Sequence, residues 1–312
     1  MGSMGIARSL LLKASRSQWL ARQLRDRRFF QRAVRRFMPG ETLDAALDAA
    51  AALAKYGIGS VLTELGEQVT NRGEAEAVRD HYLSVLDKIQ RRKLPAHISV
   101  KLTHLGLDAN PDACVQDVLT LAEQAEQARS FLWIDMEESR YVDATLDVYR
   151  RAKAEWPNVG VCLQAYLRRT AADLEALFPL APAIRLVKGA YNEPTAIAFP
   201  RKRDVDANYY QLALRLIGEA ARQRAKPVFG THDLALIAMI RTAAAAQRLD
   251  ATGGAYEFHM LYGIRAAEQR TLAAEGARVR VLISYGSAWF AWYMRRLAER
   301  PANVWFVLRN VV

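Results

Sequence analysis

Cysteine is nearly absent: the 312 residues hold two, Cys114 and Cys162. Two cysteines over this length build neither a disulfide framework nor a cysteine-ligated zinc site, and they point to a reducing compartment. No run of about 18 apolar residues occurs, so the sequence offers no candidate transmembrane helix. Glycine (17) and proline (10) are too sparse for a collagenous or low-complexity chain. No signal peptide is readable, and Met1-Gly2-Ser3-Met4 reads as a cloning scar ahead of a native start at Met4. What is present is globular composition, with 51% apolar and 25% charged residues. The length suits one large domain or two ordinary ones.

Acidic residues are missing from one stretch in particular. Residues 1–40 carry ten Lys or Arg and one acid, Asp26, which gives +9 of the total +11. The remaining chain carries 34 basic and 32 acidic residues, so it is nearly neutral. That balance argues against a long basic face for nucleic acid. Within 1–40, Ile6, Leu10, Leu20, Leu24, Phe30, Val34 and Phe37 recur at roughly helical spacing among arginines, up to Pro39-Gly40. Such amphipathic helices could lie on the main domain or, through the basic face with Trp19, Phe29 and Phe30, contact a membrane surface. Thr42 then caps an alanine-rich helix over 43–55. The expected division is residues 1–56 for these helices and 57–312 for the main domain.

From Gly57 onward, short apolar, β-branched runs alternate with longer helix-patterned stretches. The runs are 59–65, 97–103, 131–136, 159–164, 184–188, 227–231, 256–260 and 279–284. The helices fall near 74–93, 111–128, 139–154, 170–178, 204–224, 233–248, 262–275 and 287–299. Strand–helix alternation implies a parallel sheet with right-handed crossovers. Eight repeats over about 250 residues fit an α/β fold of the closed (β/α)8 TIM-barrel type.

Such barrels carry their sites at the C-terminal ends of the strands. The runs end there on Glu67, Lys101, Asp135, Gln164, Arg185 with Lys188-Gly189-Ala190, Thr231-His232, and Glu257 with His259. Asp135 could pair with Lys101 merely to close the interior, but so many charged ends are hard to explain by packing alone. No His and Cys cluster has metal spacing, so no metal is expected. No Ser or Cys adjoins a His as a nucleophile, and no G-x-G-x-x-G follows a strand. A ring of cations, one carboxylate, an amide and an imidazole suits a large polar anionic ligand plus a smaller acid. Val187-Lys188-Gly189-Ala190 would let backbone N–H groups approach such a ligand closely. On the last helix Arg295 and Arg296 could clamp a carboxylate bidentately, or pair with Glu299 on a helix surface. Trp289, Phe290, Trp292 and Tyr293 just before them favour a sheltered pocket.

Seven segments together resemble the proline dehydrogenase family, in its monofunctional bacterial form. They are Ser99-Val100-Lys101-Leu102, Ile134-Asp135 with Glu137-Glu138, Leu163-Gln164-Ala165-Tyr166, Ile184-Arg185-Leu186-Val187-Lys188-Gly189-Ala190-Tyr191, Gly230-Thr231-His232, Tyr256-Glu257-Phe258 through Leu261 and Gly263, and Tyr293 through Arg295-Arg296-Leu297-Ala298-Glu299. They follow the family order over about 57–312. The resemblance implies a noncovalent FAD and oxidation of L-proline to 1-pyrroline-5-carboxylate. It implies transfer of the electrons to a membrane quinone and a functional link to pyrroline-5-carboxylate dehydrogenase. It also implies a cytoplasmic protein, peripheral at the inner membrane face, with no nucleic-acid partner.

By motif, the resemblance gives Lys101, Arg295 and Arg296 the substrate carboxylate. It gives Asp135 and Arg185 catalytic roles, with Arg185 close to flavin N5. Leu261, Leu282 and Trp292 would contact the substrate ring. Met136, Gln164, Val187, Lys188, Gly189, Ala190, Thr231, His232 and Glu299 would contact the flavin, and Glu67 would pair with Arg295 as a gate. Leu282 and Trp292 stand where many relatives carry Tyr, which leaves ring specificity open; Tyr285 and Tyr293 are expected nearby as partial substitutes. Two other readings are a same-fold flavoenzyme for another cyclic or secondary amino acid, and a non-enzymatic protein binding nucleic acid or membrane through its basic N-terminus.

Overall fold

The computed structural model describes residues 34, 36–66, 68–250 and 252–290. Eight parallel strands close into one barrel in sequence order. They are β1 (Gly59–Glu64), β2 (Ala96–Val100), β3 (Leu132–Ile134), β4 (Val159–Gln164), β5 (Ala183–Val187), β6 (Lys226–Gly230), β7 (Glu257–Leu261) and β8 (Val279–Tyr285). The closure is β1 against β8, six residues in register from Gly59–Arg280 to Glu64–Tyr285. Helices α1 (Leu43–Ala54), α2 (Arg72–Arg91), α3 (Pro111–Gln127), α4 (Val142–Glu155), α5 (Thr170–Leu177), α6 (Lys202–Ala221), α7 (Leu234–Ala246) and α8 (Ala266–Ala274) are the described α-helices.

Local chemistry explains the elements. Asn71, Asn110 and Asp233 cap α2, α3 and α7 by accepting from a backbone N–H three residues on. Proline stands at the start of α3, where its missing N–H costs nothing. In α2 the buried residues Ala75, Val78, Tyr82, Val85, Leu86 and Ile89 recur every three or four positions, so one face packs on the barrel. The strands lie between two apolar surfaces, and β4 is buried throughout. Thr42 caps α1 as expected, and Ala46, Leu47 and Ala50 enter the same core as the barrel helices. Inside the barrel Val61, Phe131, Trp133, Ala183 and Val228 form a separate apolar cluster, with Leu282 against it.

All eight runs are strands, with shifted ends. β2 and β3 stop at Val100 and Ile134, which leaves Lys101 and Asp135 as the first residues of the following turns. The 139–154 helix opens with a 3-10 turn over Ser139–Tyr141 before α4. The 262–275 helix starts only at Ala266, because Gly263 (φ +73°) and Arg265 (φ +54°) hold left-handed conformations. Glu257 is not at the mouth: it begins β7, at the opposite end of the barrel. There Arg280 Nε donates to Glu257 Oε2 at 2.8 Å.

The stretch before α1 crosses the C-terminal face beside β7 and β8. Val34 and Met38 are buried. A Cβ on Gly263 would stand 1.5 Å from the Arg36 carbonyl oxygen, so only glycine admits that crossing. The basic helices expected over 1–40 otherwise lie outside the described residues, as does most of the one expected over 287–299, of which Trp289 and Phe290 are described and helical. Among the described residues no helix is long and apolar enough to cross a membrane.

Candidate active site

A cavity of about 640 Å³ sits at the C-terminal ends of the strands. All eight strands, or the positions just after them, contribute to its lining. That volume is in the ordinary range for a ligand pocket.

Its floor is a polar cluster built by strand alternation, which puts Ser99 on the same side as Lys101. Arg185 lies in the middle of β5 and is 4% exposed. Its Nη2 donates to Asp135 Oδ1 and, at 2.9 Å, to Ser99 Oγ. Ser99 Oγ in turn donates to Asp135 Oδ1 at 2.9 Å. Lys101 Nζ stands 3.8 Å from Asp135 Oδ2. The Arg185 guanidinium covers the Trp133 ring at 5.2 Å, while its Nη1 is buried without a hydrogen-bond partner among the described residues. One carboxylate therefore serves two cations, and net positive charge remains beneath the cavity.

Below this cluster Trp133 meets His259 edge-on at 5.4 Å. Burial holds the His259 imidazole near a pKa of about 4, so it is neutral at pH 7. Its Nε2 lies 3.5 Å from Glu257 Oε2, too far for a good hydrogen bond. Burial pushes the Glu257 carboxyl up, but the Arg280 guanidinium, 2.8 Å away, outweighs it and holds that group well below the usual carboxylate range. Cys162 also lines the cavity, and burial raises its thiol pKa, which keeps it protonated.

One wall comes from β4, β5 and β6. Gln164 Nε2 donates to the Met136 carbonyl at 3.3 Å, and its Oε1 is buried and unpartnered among the described residues. The Val187 and Lys188 carbonyls accept from Ala165 and Tyr166 N–H, which fixes the turn into Gly189. Gly189 has φ +108°, and a Cβ there would meet the Tyr166 ring at 2.1 Å. Both Gly189 and Ala190 line the cavity. Lys188 Nζ contacts Asp206 at 2.5 Å and Asp233 at 3.1 Å. Thr231 Oγ1 accepts from the Asp233 N–H at 3.1 Å. His232 Nε2 accepts from the Leu261 N–H at 2.8 Å, which makes Nδ1 the protonated nitrogen.

The opposite wall is apolar. Leu261 and Leu282 are direct neighbours in the β7–β8 ladder, and both line the cavity. Leu282 does not end its strand, which runs on to Tyr285. Tyr285 does not substitute for the missing ring contact: it points away from the cavity, where its hydroxyl meets His81 Nε2 at 2.8 Å. Lys101, Asp135, Met136, Gln164, Arg185, Val187, Lys188, Gly189, Ala190, Thr231, His232, Leu261 and Leu282 thus share one cavity. Glu67, Trp292, Tyr293, Arg295, Arg296 and Glu299 lie outside the described residues. Sequence reading quoted Ser99 in a motif but gave it no role, and it missed Trp133 as the ring beneath Arg185.

The family model described as Proline dehydrogenase matches residues 46–309. Proline dehydrogenase 1 of Bacillus subtilis is 37% identical over 279 residues, which cover 89% of this chain and 90% of that protein. Proline dehydrogenase of Deinococcus radiodurans is 35% identical over 282 residues, with 89% of both chains covered. Among solved structures, proline utilization A from Bdellovibrio bacteriovorus inactivated by N-propargylglycine superposes with a TM-score of 0.79 at 23% identity, a likeness of fold. That match covers 86% of this chain, which spans about a third (32%) of the solved one. With the family model matched along most of its length, this chain belongs to the proline dehydrogenase family, oxidoreductases of proline catabolism.

Proposed function

We propose that the protein oxidises L-proline to 1-pyrroline-5-carboxylate with a noncovalently bound FAD in the barrel cavity. The observation that carries this reading is the Ser99–Asp135–Arg185 cluster beneath a cavity whose wall offers unmet hydrogen-bonding groups. The residues fit a flavin. Arg185 Nη1 and Gln164 Oε1, a donor and an acceptor, are buried with no hydrogen-bond partner among the described residues. The Gly189 turn brings bare backbone to the lining. Those features match the needs of a planar ring with alternating acceptors and N–H groups.

In this reading Met136, Gln164, Val187, Gly189 and Ala190 hold the ring system, with Lys188, Thr231, His232 and Glu299 along the rest of the cofactor. When bound, the flavin supplies the electron-pair acceptor for oxidation of the substrate's ring C–N bond. Arg185, fixed by Asp135 and Ser99, presents a preorganised positive charge where negative charge develops. Lys101 with Arg295 and Arg296 holds the substrate carboxylate by charge-assisted hydrogen bonds. Leu261 and Leu282, with Trp292, form an apolar wall that excludes water from the ring. Glu67 closes the site by pairing with Arg295. Electrons then leave to a quinone at an anionic membrane surface met by the basic segment before residue 34, on the cytoplasmic side. The product passes to pyrroline-5-carboxylate dehydrogenase. The test is anaerobic addition of L-proline to the purified protein. Bleaching of a bound flavin absorbance band is the expected result; a colourless protein, or a band indifferent to proline, overturns the proposal.

A further inference from the structure

At the mouth of the barrel a side chain takes the place of one ladder bond. Between β1 and β2 the register pairs only three residues, Ser60 to Leu62 with Ala96 to Ile98, whereas β1 pairs six with β8. The Ser60 N–H donates to the Pro95 carbonyl at 3.0 Å. Counting on by two residues twice, a continued parallel ladder would bring the Glu64 N–H to the Ser99 carbonyl. Instead the Glu64 N–H donates to the Tyr82 hydroxyl at 2.9 Å, and that hydroxyl donates to the Ser99 carbonyl at 3.0 Å. Tyr82 reaches the seam from α2 and is 1% exposed. Burial raises its pKa, so the hydroxyl stays protonated and keeps both bonds. Each strand holds to its other neighbour at this level. The Leu65 N–H donates to the Tyr285 carbonyl at 2.8 Å, and the Asp135 N–H to the Val100 carbonyl at 2.9 Å. The opening thus lies in the β1–β2 seam, flanked by the cavity-lining Thr63, Leu65 and Lys101.

We infer that Tyr82 is a positioning residue for the cavity floor: its hydroxyl, set into the β1–β2 ladder, holds Ser99 where Ser99 Oγ meets both Asp135 and Arg185. This rests on the role proposed above for that floor in the reaction. A direct ladder bond would draw the Glu64 nitrogen and the Ser99 oxygen to about 3 Å. With a hydroxyl between them they stand farther apart, so β2 is kept off β1 at Ser99. The side chain of the same residue lies 2.9 Å from both Asp135 Oδ1 and Arg185 Nη2. Without the hydroxyl, two buried backbone groups are either left unpaired or close on each other. Both outcomes shift Ser99 and loosen its hold on Arg185. A side chain that only supported the fold would act differently: its loss would lower flavin content or the thermal midpoint and leave the reduction rate of the remaining bound flavin unchanged.

The test is a double-variant cycle on flavin-loaded enzyme, read by anaerobic stopped-flow. The flavin reduction rate at saturating proline, per bound flavin, is measured for wild type, Tyr82→Phe, Ser99→Ala and the two combined. Tyr82→Phe is expected to slow reduction about three- to tenfold. In the Ser99→Ala background it is expected to add less than about twofold, because the hydroxyl through which it acts is gone. para-Fluorophenylalanine at position 82 fills the space of the tyrosine hydroxyl without donating, so it disturbs folding least, and it should slow reduction as Phe does. If Ser99→Ala is slow but Tyr82→Phe reduces at the wild-type rate, the floor stands and Tyr82 has no part in it. If Ser99→Ala itself reduces at the wild-type rate, the role of Ser99 in the floor falls and this inference falls with it. Full multiplication of the two effects in the double variant, or a wild-type rate with para-fluorophenylalanine, also overturns it.

Discussion

Ser99→Ala removes one oxygen atom from the floor of the cavity. Ser99 is fully buried, so no solvent replaces the lost group. Two hydrogen bonds of 2.9 Å disappear, one to Asp135 and one from Arg185. Asp135 and Arg185 still face each other, so no charge is stranded. The effect should therefore stay below the roughly 3–5 kcal/mol of a broken buried pair. A bond to a charged group contributes about 1.5–3 kcal/mol. Of this, part appears as lost preorganisation, because Nη1 of Arg185 already lacks a partner among the described residues and the guanidinium can then turn. Taking about 2 kcal/mol at most into the barrier predicts a drop of about 10- to 30-fold in the rate of flavin reduction by proline. The assay is anaerobic stopped-flow at saturating proline, with flavin content measured alongside. Asp135→Ala should be worse, and the double variant should fall short of the product of the two singles. A Ser99→Ala enzyme with full flavin and a wild-type reduction rate refutes the idea that this hydroxyl holds Arg185 in place.

Gly189→Ala should cost most of the bound flavin, because the added Cβ meets the Tyr166 ring at 2.1 Å from a backbone at φ +108°; flavin-to-protein absorbance reads it, and a wild-type ratio refutes it. His104 is buried and neutral, with burial lowering its pKa from 6.5 to about 4. The unfolded chain takes up that proton first, so the contribution is whole above pH 6.5 and lost as pH falls toward 4. Urea unfolding at pH 7.5 and pH 5 should show about 2 kcal/mol less pH-linked loss in His104→Gln than in wild type, and equal losses refute the assignment. Deleting residues 1–33 should leave flavin content and turnover with a soluble acceptor intact while reducing binding to anionic vesicles, given the charge of that segment. Undiminished vesicle binding refutes it, whereas extending the cut to 38 removes buried Val34 and Met38 and should also lower the thermal midpoint.

The barrel was legible because each strand is a short β-branched run set between long amphipathic helices, a contrast of periods that tertiary context does not erase. Lys101, Asp135, Gln164 and Lys188 were legible as cavity-lining residues because polar groups at the ends of apolar runs have few structural explanations. Glu257 was misplaced by the same logic: a charged residue beside a strand reads alike at either end until its partner, Arg280, is known. Tyr285 was expected near the pocket by proximity, yet alternation with Ser284 turns it to the other face. The role of Ser99 was hidden because serine is common and its meaning here lies in two partners, 36 and 86 residues away. The late start of α8 was hidden too, since nothing local to Gly263 says that the Arg36 carbonyl passes over it.

The bond between Glu41 and Trp289 joins residues 248 positions apart. It lies beside the β1–β8 seam, so the start and end of the described chain are fastened at the same place. During synthesis β1 therefore has no partner on one side until β8 has emerged, nearly the whole chain later. Until then both outer strands offer unpaired backbone to any neighbouring chain. Folding that depends on such a distant closure is slow compared with helical proteins of similar size. Ribosome-bound chains stopped short of β8 should be protease-sensitive along β1, and completion of the seam should make them resistant in a single step.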